Sequence, residues 1–170
     1  MGGAVAGLEE LRQQLPNLPI DRAVDLLAQA PSLWVAGARR AFPVATYLAY
    51  ALQHTDKPIQ LVDFAGAMHV GQLRGLRRGD VMVAVSFAPY AEETMDLVRQ
   101  AAQAGATVIA ITDSRVGALA QLADVALVVQ ESAVFGFRAL SSTMALAQCL
   151  FIALAYRLEL EYKPSGTAAR

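Results

Sequence analysis

The sequence predicts an α/β fold: a three-layer, five-stranded parallel sheet with helices on both faces. Three observations predict it. Val81–Val85 is an unbroken apolar run after a Gly79-Asp80 turn, the pattern of a strand covered on both faces. Four further short apolar runs follow the same plan, and helical patterns separate them, so the strands should run parallel. Right-handed crossovers then favour the strand order 2-1-3-4-5, with a switch point between the first and third strands.

Taken in order, Met1–Gly7 is rich in Gly and Ala and reads as a flexible leader. Leu8–Leu15 is a short helical candidate ended by Pro16. Ile20, Val24, Leu26 and Leu27 form a helical stripe up to Ala30, where Pro31-Ser32 breaks it. Leu33–Ala36 is the first strand, closed by Gly37, and Ala38–Ala41 is a loop. Phe42-Pro43 opens a helix to about Gln53, with proline tolerated in the first turn. Ile59–Val62 is the second strand, and Gly66–Leu76 a weaker helix. Val81–Val85 is the third strand, and Ser86–Tyr90 a tight loop. Ala91–Ala104 is a helix that Gly105 ends. Thr107–Ile111 is the fourth strand; Thr112-Asp113-Ser114 is expected to cap a short helix through Leu122. Val125–Val129 is the fifth strand. A loop, Gln130–Phe137, leads into a long apolar helix, Ala139–Leu158. The expected organisation is a leader with N-terminal helices over 1–30, one domain over 31–158 and a C-terminal tail over 159–170.

Composition narrows the function classes. The 170 residues are 55% hydrophobic with mean hydropathy +0.38, which suits one domain with a real core. A net charge of −1 without a long basic run makes this segment a poor nucleic-acid binder by itself. Cys149 is the only cysteine, which excludes an internal disulfide and a Cys-rich zinc site. With no signal peptide evident, the expected compartment is the cytoplasm. Ser141, Ser142, Thr143, Gln148 and Arg157 interrupt the last helix, so no membrane span is expected. Two histidines and one cysteine make no ligand set, and no Gly-rich dinucleotide fingerprint follows the first strand. Neither a metal nor a cofactor is therefore expected.

The candidate site residues lie in the loops that face the switch point. Arg39 and Arg40 place two fixed charges beside free N–H groups at a helix N-terminus, an anion site. Ser86 either binds a ligand oxygen or caps the helix that follows. Tyr90 either touches ligand or packs on that helix. Glu92 and Glu93 suit a helix N-terminus electrostatically. His69 reads first as a packing or surface residue. Arg138, after Phe135-Gly136-Phe137, reaches either an effector or an oligomer contact. No catalytic set is assigned.

Several stretches together resemble a SIS (sugar isomerase) domain, most of all the C-terminal effector domain of MurR/RpiR-type bacterial transcriptional regulators. They are Gly37-Ala38-Arg39-Arg40, Gly79-Asp80-Val81 leading to Ser86, Ala104–Ser114 and Leu119–Asp124. The resemblance covers about Leu8–Leu158. The family's second loop usually reads Ser-x-Ser-Gly-x-Thr-x-Glu, and its hydroxyls hold a sugar phosphate. Ser86 and Glu93 match it. Ala88, Pro89 and Ala91 stand where Ser, Gly and Thr are usual, as in a subgroup of regulators with Arg-Arg in the first loop and Phe-x-Pro-Tyr in the second.

The resemblance implies a sensing domain for a phosphorylated sugar or related metabolic anion. DNA would be reached only through a helix-turn-helix domain absent from this chain. The alternatives are an aldose–ketose phosphosugar isomerase and an assembly domain with a degenerate pocket. The ligand-binding candidates are Gly37, Arg39, Arg40, Ser86, Tyr90, Glu93, Thr112 and Ser114. A homodimer or higher oligomer is expected, because the last helix is apolar around nearly its whole circumference and no later segment can cover its outer side.

Overall fold

Successive residues of a strand point to opposite faces, and the central strands here are apolar on both. A computed structural model describes residues 2–134 and 136–161. Its main sheet holds β1 (Leu33–Ala36), β2 (Ile59–Val62), β3 (Val81–Val85), β4 (Thr107–Thr112) and β5 (Val125–Val128). All are parallel, in the order β2-β1-β3-β4-β5. Leu33, Val35, Val83, Val85, Ile109, Ile111 and Leu127 face one helical layer. Trp34, Ala36, Met82, Ala84, Val108 and Ala110 face the other.

The first layer holds α1 (Gly2–Gln14), α2 (Ile20–Gln29), α3 (Phe42–Leu52) and α7 (Ser141–Arg157). The second holds the one-turn α4 (His69–Gln72), α5 (Glu92–Gln103) and α6 (Ala118–Leu122). At the start of β3 the buried Asp80 accepts from the Trp34 indole N–H at 3.2 Å and from the Arg77 backbone N–H at 2.8 Å. The predicted Gly79-Asp80 turn is thus also the anchor of the central strands.

Four expectations are corrected. The Gly- and Ala-rich start is helical, not irregular: α1 begins at Gly2 and buries Leu11. It approaches α7 so closely that a Cβ added at Gly7 would lie 2.8 Å from Ser142 Oγ. Tertiary packing, absent from any local pattern, decides this helix. The expected helix over 66–76 is broken into 3₁₀ turns at Ala65–Ala67 and Leu73–Gly75 around α4, with positive φ at Phe64, Gly66 and Ala67. Thr112, Asp113 and Ser114 do not cap α6, whose N-cap is Gly117 without a side-chain bond.

The fourth correction concerns α7. Its neighbours α1, α2 and α3 come earlier in the chain but fold back over it, so Leu146, Ala147, Leu150 and Leu154 are buried within the chain itself. What stays exposed is a stripe of Gln148, Ile152 (44% exposed) and Tyr156 (82%), with Arg157 at the helix end. Between β5 and α7 lies a short antiparallel ribbon, β6 (Ala133–Val134) and β7 (Phe137–Arg138). Phe135, and residues 162–170 of the expected tail, lie outside the described residues. No helix among the described residues is long and apolar enough to cross a membrane.

Candidate functional site

At the carboxyl ends of β1 and β3, the strand order reverses and two loops diverge, leaving a cleft of about 120 Å³. The β1–α3 loop supplies Arg39 and Arg40 to it, and the β3–α5 loop supplies Ser86, Phe87 and Pro89. Arg138, from β7, closes a further side. The two loops are stitched together below the cleft: the Ala38 backbone N–H donates to Thr94 Oγ1 at 3.2 Å, joining the first loop to α5.

Arg39 occupies the left-handed region at φ 54°, within a 3₁₀ turn that leads into α3. Its guanidinium donates to both Glu93 carboxylate oxygens, at 3.0 and 3.1 Å, across the mouth of the cleft. The pair is solvated, with the side chains 68% and 40% exposed. Glu93 is held below the ordinary carboxylate range, first by its own backbone N–H in the opening turn of α5 and then by Arg39. Arg40 donates to the Gly136 carbonyl at 2.7 Å and lies over the Phe137 ring at 5.5 Å.

Arg138 is the best-packed of the three arginines. It pairs with Asp113 at 2.8 Å and stacks over the Phe87 ring at 4.6 Å; the Arg138 and Asp113 side chains are 22% and 12% exposed. Asp113 also accepts from the Ala88 backbone N–H at 3.1 Å and from the Tyr90 hydroxyl at 3.3 Å. One carboxylate therefore fixes both the second loop and the arginine that faces it.

The structure gathers Arg39, Arg40 and Ser86 on the cleft. Ser86 is buried and its N–H donates to the Ile111 carbonyl. The N-cap of α5 is Ala91, without a side-chain bond, so Ser86 does not cap that helix. The other candidates sit around the cleft. Gly37 lies beneath it, where a Cβ would come within 3.2–3.3 Å of Ala41, Ala45 and Val85 atoms. Glu93 flanks the mouth through Arg39. Tyr90 turns toward the β4–α6 loop and abuts Gly117, and burial, more than any neighbour, pushes its phenol above the usual value. Thr112 ends β4, buried, with no partner for its hydroxyl among the described residues. Ser114 accepts from the Val116 N–H in a local turn. His69 packs against Phe64 at a ring distance of 5.2 Å, away from the lining.

Sequence reasoning missed Phe87 and Asp113 as site residues and left Arg138 open. The signal for Asp113 was its position, one residue beyond the end of a central strand. A capping role absorbed that signal.

The family model described as SIS domain matches residues 26–153. The sugar isomerase domain of an RpiR transcription factor from Sphaerobacter thermophilus superposes with a TM-score of 0.83. It is 26% identical, over 91% of this chain and 86% of that one. The NanR protein of Vibrio vulnificus, solved in complex with ManNAc-6P, superposes with a TM-score of 0.80. It is 21% identical, over 93% of this chain and 61% of that one, a likeness of fold. An uncharacterized protein of Archaeoglobus fulgidus is 25% identical over 123 residues, 72% of this chain; this chain spans 64% of that protein.

Proposed function

This chain belongs to the SIS domain family, and from that premise we propose that its cleft holds a phosphorylated sugar or related metabolic anion as a signal, without turning it over. The observation that carries this reading is the convergence of Arg39, Arg40 and Arg138 on a cleft whose flanking carboxylates are already paired with two of them. Three guanidinium groups and the start of α3 recognise negative charge. Isomerisation needs a base, and a base that works near neutral pH needs a raised pKa. Glu93 is shifted the other way.

The 26% identity to the sugar isomerase domain of an RpiR transcription factor supports an effector role. In this reading the response reaches DNA through a helix-turn-helix module outside this chain, and this segment contributes the sensor. The exposed stripe of α7, with Ile152 and Tyr156, is the proposed contact with a second copy of the chain. The cytoplasm is the proposed compartment, in keeping with a single unpaired cysteine.

The test is to follow arabinose 5-phosphate and other aldose and ketose phosphates by NMR with the protein present, and to measure their binding by calorimetry. Binding that Arg40→Ala weakens, without isomerisation above the buffer rate, is expected. Turnover that Glu93→Gln abolishes would replace the sensor by an isomerase.

A further inference from the structure

We infer that the ligand of this cleft is a compact phosphorylated acid: a short carbon skeleton with a phosphate at one end, a carboxylate at the other and few hydroxyls. This rests on the anion-binding reading above and narrows its ligand class.

The first reason is the chemistry of the lining. The side chains facing the cleft are three arginines, one serine and otherwise apolar groups, including Phe87, Pro89 and Leu140. Among the described residues, no carboxylate, amide or imidazole belongs to it. Arginine donates hydrogen bonds and accepts none. A ring with three or four hydroxyls would bring as many O–H donors into a lining whose only side-chain acceptor, among the described residues, is the Ser86 hydroxyl. A donor buried without a partner costs more than it contributes, so such a lining disfavours a polyhydroxylated ligand.

The second reason is size. Sites for drug-sized ligands and cofactors run from about 300 to 1,000 Å³, and this cleft offers about 120 Å³. The third is the placement of charge. Arg39 and Arg40 come from the β1–α3 loop, and Arg138 comes from β7, with the apolar Phe87 and Pro89 also on the lining. Positive charge supplied from two separate segments, with apolar surface beside it, suits a ligand with two anionic groups on a short apolar link. Arg40 already holds a carbonyl oxygen at 2.7 Å, the type of acceptor a phosphate or carboxylate replaces. Arg138, steered by Asp113 and Phe87, is assigned to the second anionic group.

Calorimetry on the 170-residue chain, at one pH and one ionic strength, tests this with defined probes. They are 2-phosphoglycolate, 3-phosphoglycerate, glycerol 3-phosphate, arabinose 5-phosphate, N-acetylmannosamine 6-phosphate and inorganic phosphate. The two phosphorylated acids are expected to bind at least tenfold more tightly than either sugar phosphate. 3-Phosphoglycerate should exceed glycerol 3-phosphate, which has the same skeleton without the carboxylate, by a similar factor. Arg138→Gln should erase that second difference, and Arg138→Lys, checked for folding by circular dichroism, should restore part of it. Equal or tighter binding of a sugar phosphate would overturn the ligand class and leave the anion site standing. Equal loss for 3-phosphoglycerate and glycerol 3-phosphate in Arg138→Gln would overturn the assigned role of Arg138. No heat from any probe would overturn the anion site itself, and this inference with it.

Discussion

Asp113 and Arg138 stand 25 residues apart in sequence and 2.8 Å apart in space, joined where the end of β4 meets the approach to α7. The pair is the cleft's internal brace, because Asp113 also holds Ala88 and Tyr90 of the opposite loop. Asp113→Ala leaves Arg138 and two donors without their acceptor. A loss of about 1–3 kcal/mol follows, together with weaker anion binding. Asp113→Asn, which keeps an acceptor, should lose less of both. Urea denaturation alongside calorimetry reads the two effects separately.

Arg40 spends its guanidinium on a neutral carbonyl and a ring, both at the surface. Its removal should barely touch stability, whereas a charge-assisted contact to a ligand is worth about 1.5–3 kcal/mol. Arg40→Ala should therefore bind inorganic phosphate or a phosphorylated ligand about tenfold more weakly or worse. The melting temperature without ligand should change little.

Asp80→Ala should be costly far from the cleft. It strips the acceptor from the buried Trp34 indole and from the Arg77 N–H, a penalty of about 1–3 kcal/mol. Trp34 is the only tryptophan, so its fluorescence on urea titration reports the shift in midpoint directly. An unchanged midpoint would mean the anchor is dispensable.

Tyr90 and Gly117 are coupled by contact. A Cβ at Gly117 would fall 2.0 Å from the Tyr90 hydroxyl oxygen, so Gly117→Ala must push the ring aside and lose about 1–3 kcal/mol. Removing that oxygen in Tyr90→Phe takes away the worst of the clash and leaves the ring carbon Cζ at 3.0 Å, which a small ring shift accommodates. The double variant should then be more stable than the two single losses added together, by about 0.5–3 kcal/mol in a double-mutant cycle.

Self-association is best probed outside the core. Leu150 is fully buried among the chain's own helices, so changing it tests folding. Ile152 and Tyr156 are exposed. Ile152→Glu with Tyr156→Ser should keep the fold and turn the proposed dimer into a monomer by light scattering at micromolar concentration. An unchanged dimer mass would place the contact elsewhere.

Much of this was legible in the sequence because it is local. Leu33–Ala36, Ile59–Val62 and Val81–Val85 are strands with the expected ends, since each is a short apolar run bounded by turn residues. Arg39, Arg40 and Ser86 reached the cleft because strand order alone brings those loops together. Asp113 escaped because its partners are at Ala88, Tyr90 and Arg138, none of them local, while its position beside Ser114 imitates a helix cap. The first half of α1 escaped because Gly7 packs against Ser142 of α7 and Gly3 against Ser132, and glycine read without those partners means freedom.

The left-handed backbone of Arg39 sets the protein's fitness for its task against its own robustness. A non-glycine residue in that conformation carries about 1–2 kcal/mol of strain, which glycine would relieve at once. Arg39→Gly should thus melt at a higher temperature and yet respond to its anion less sharply. A selection for heat resistance alone would favour glycine at this position and leave a sturdier, duller receptor.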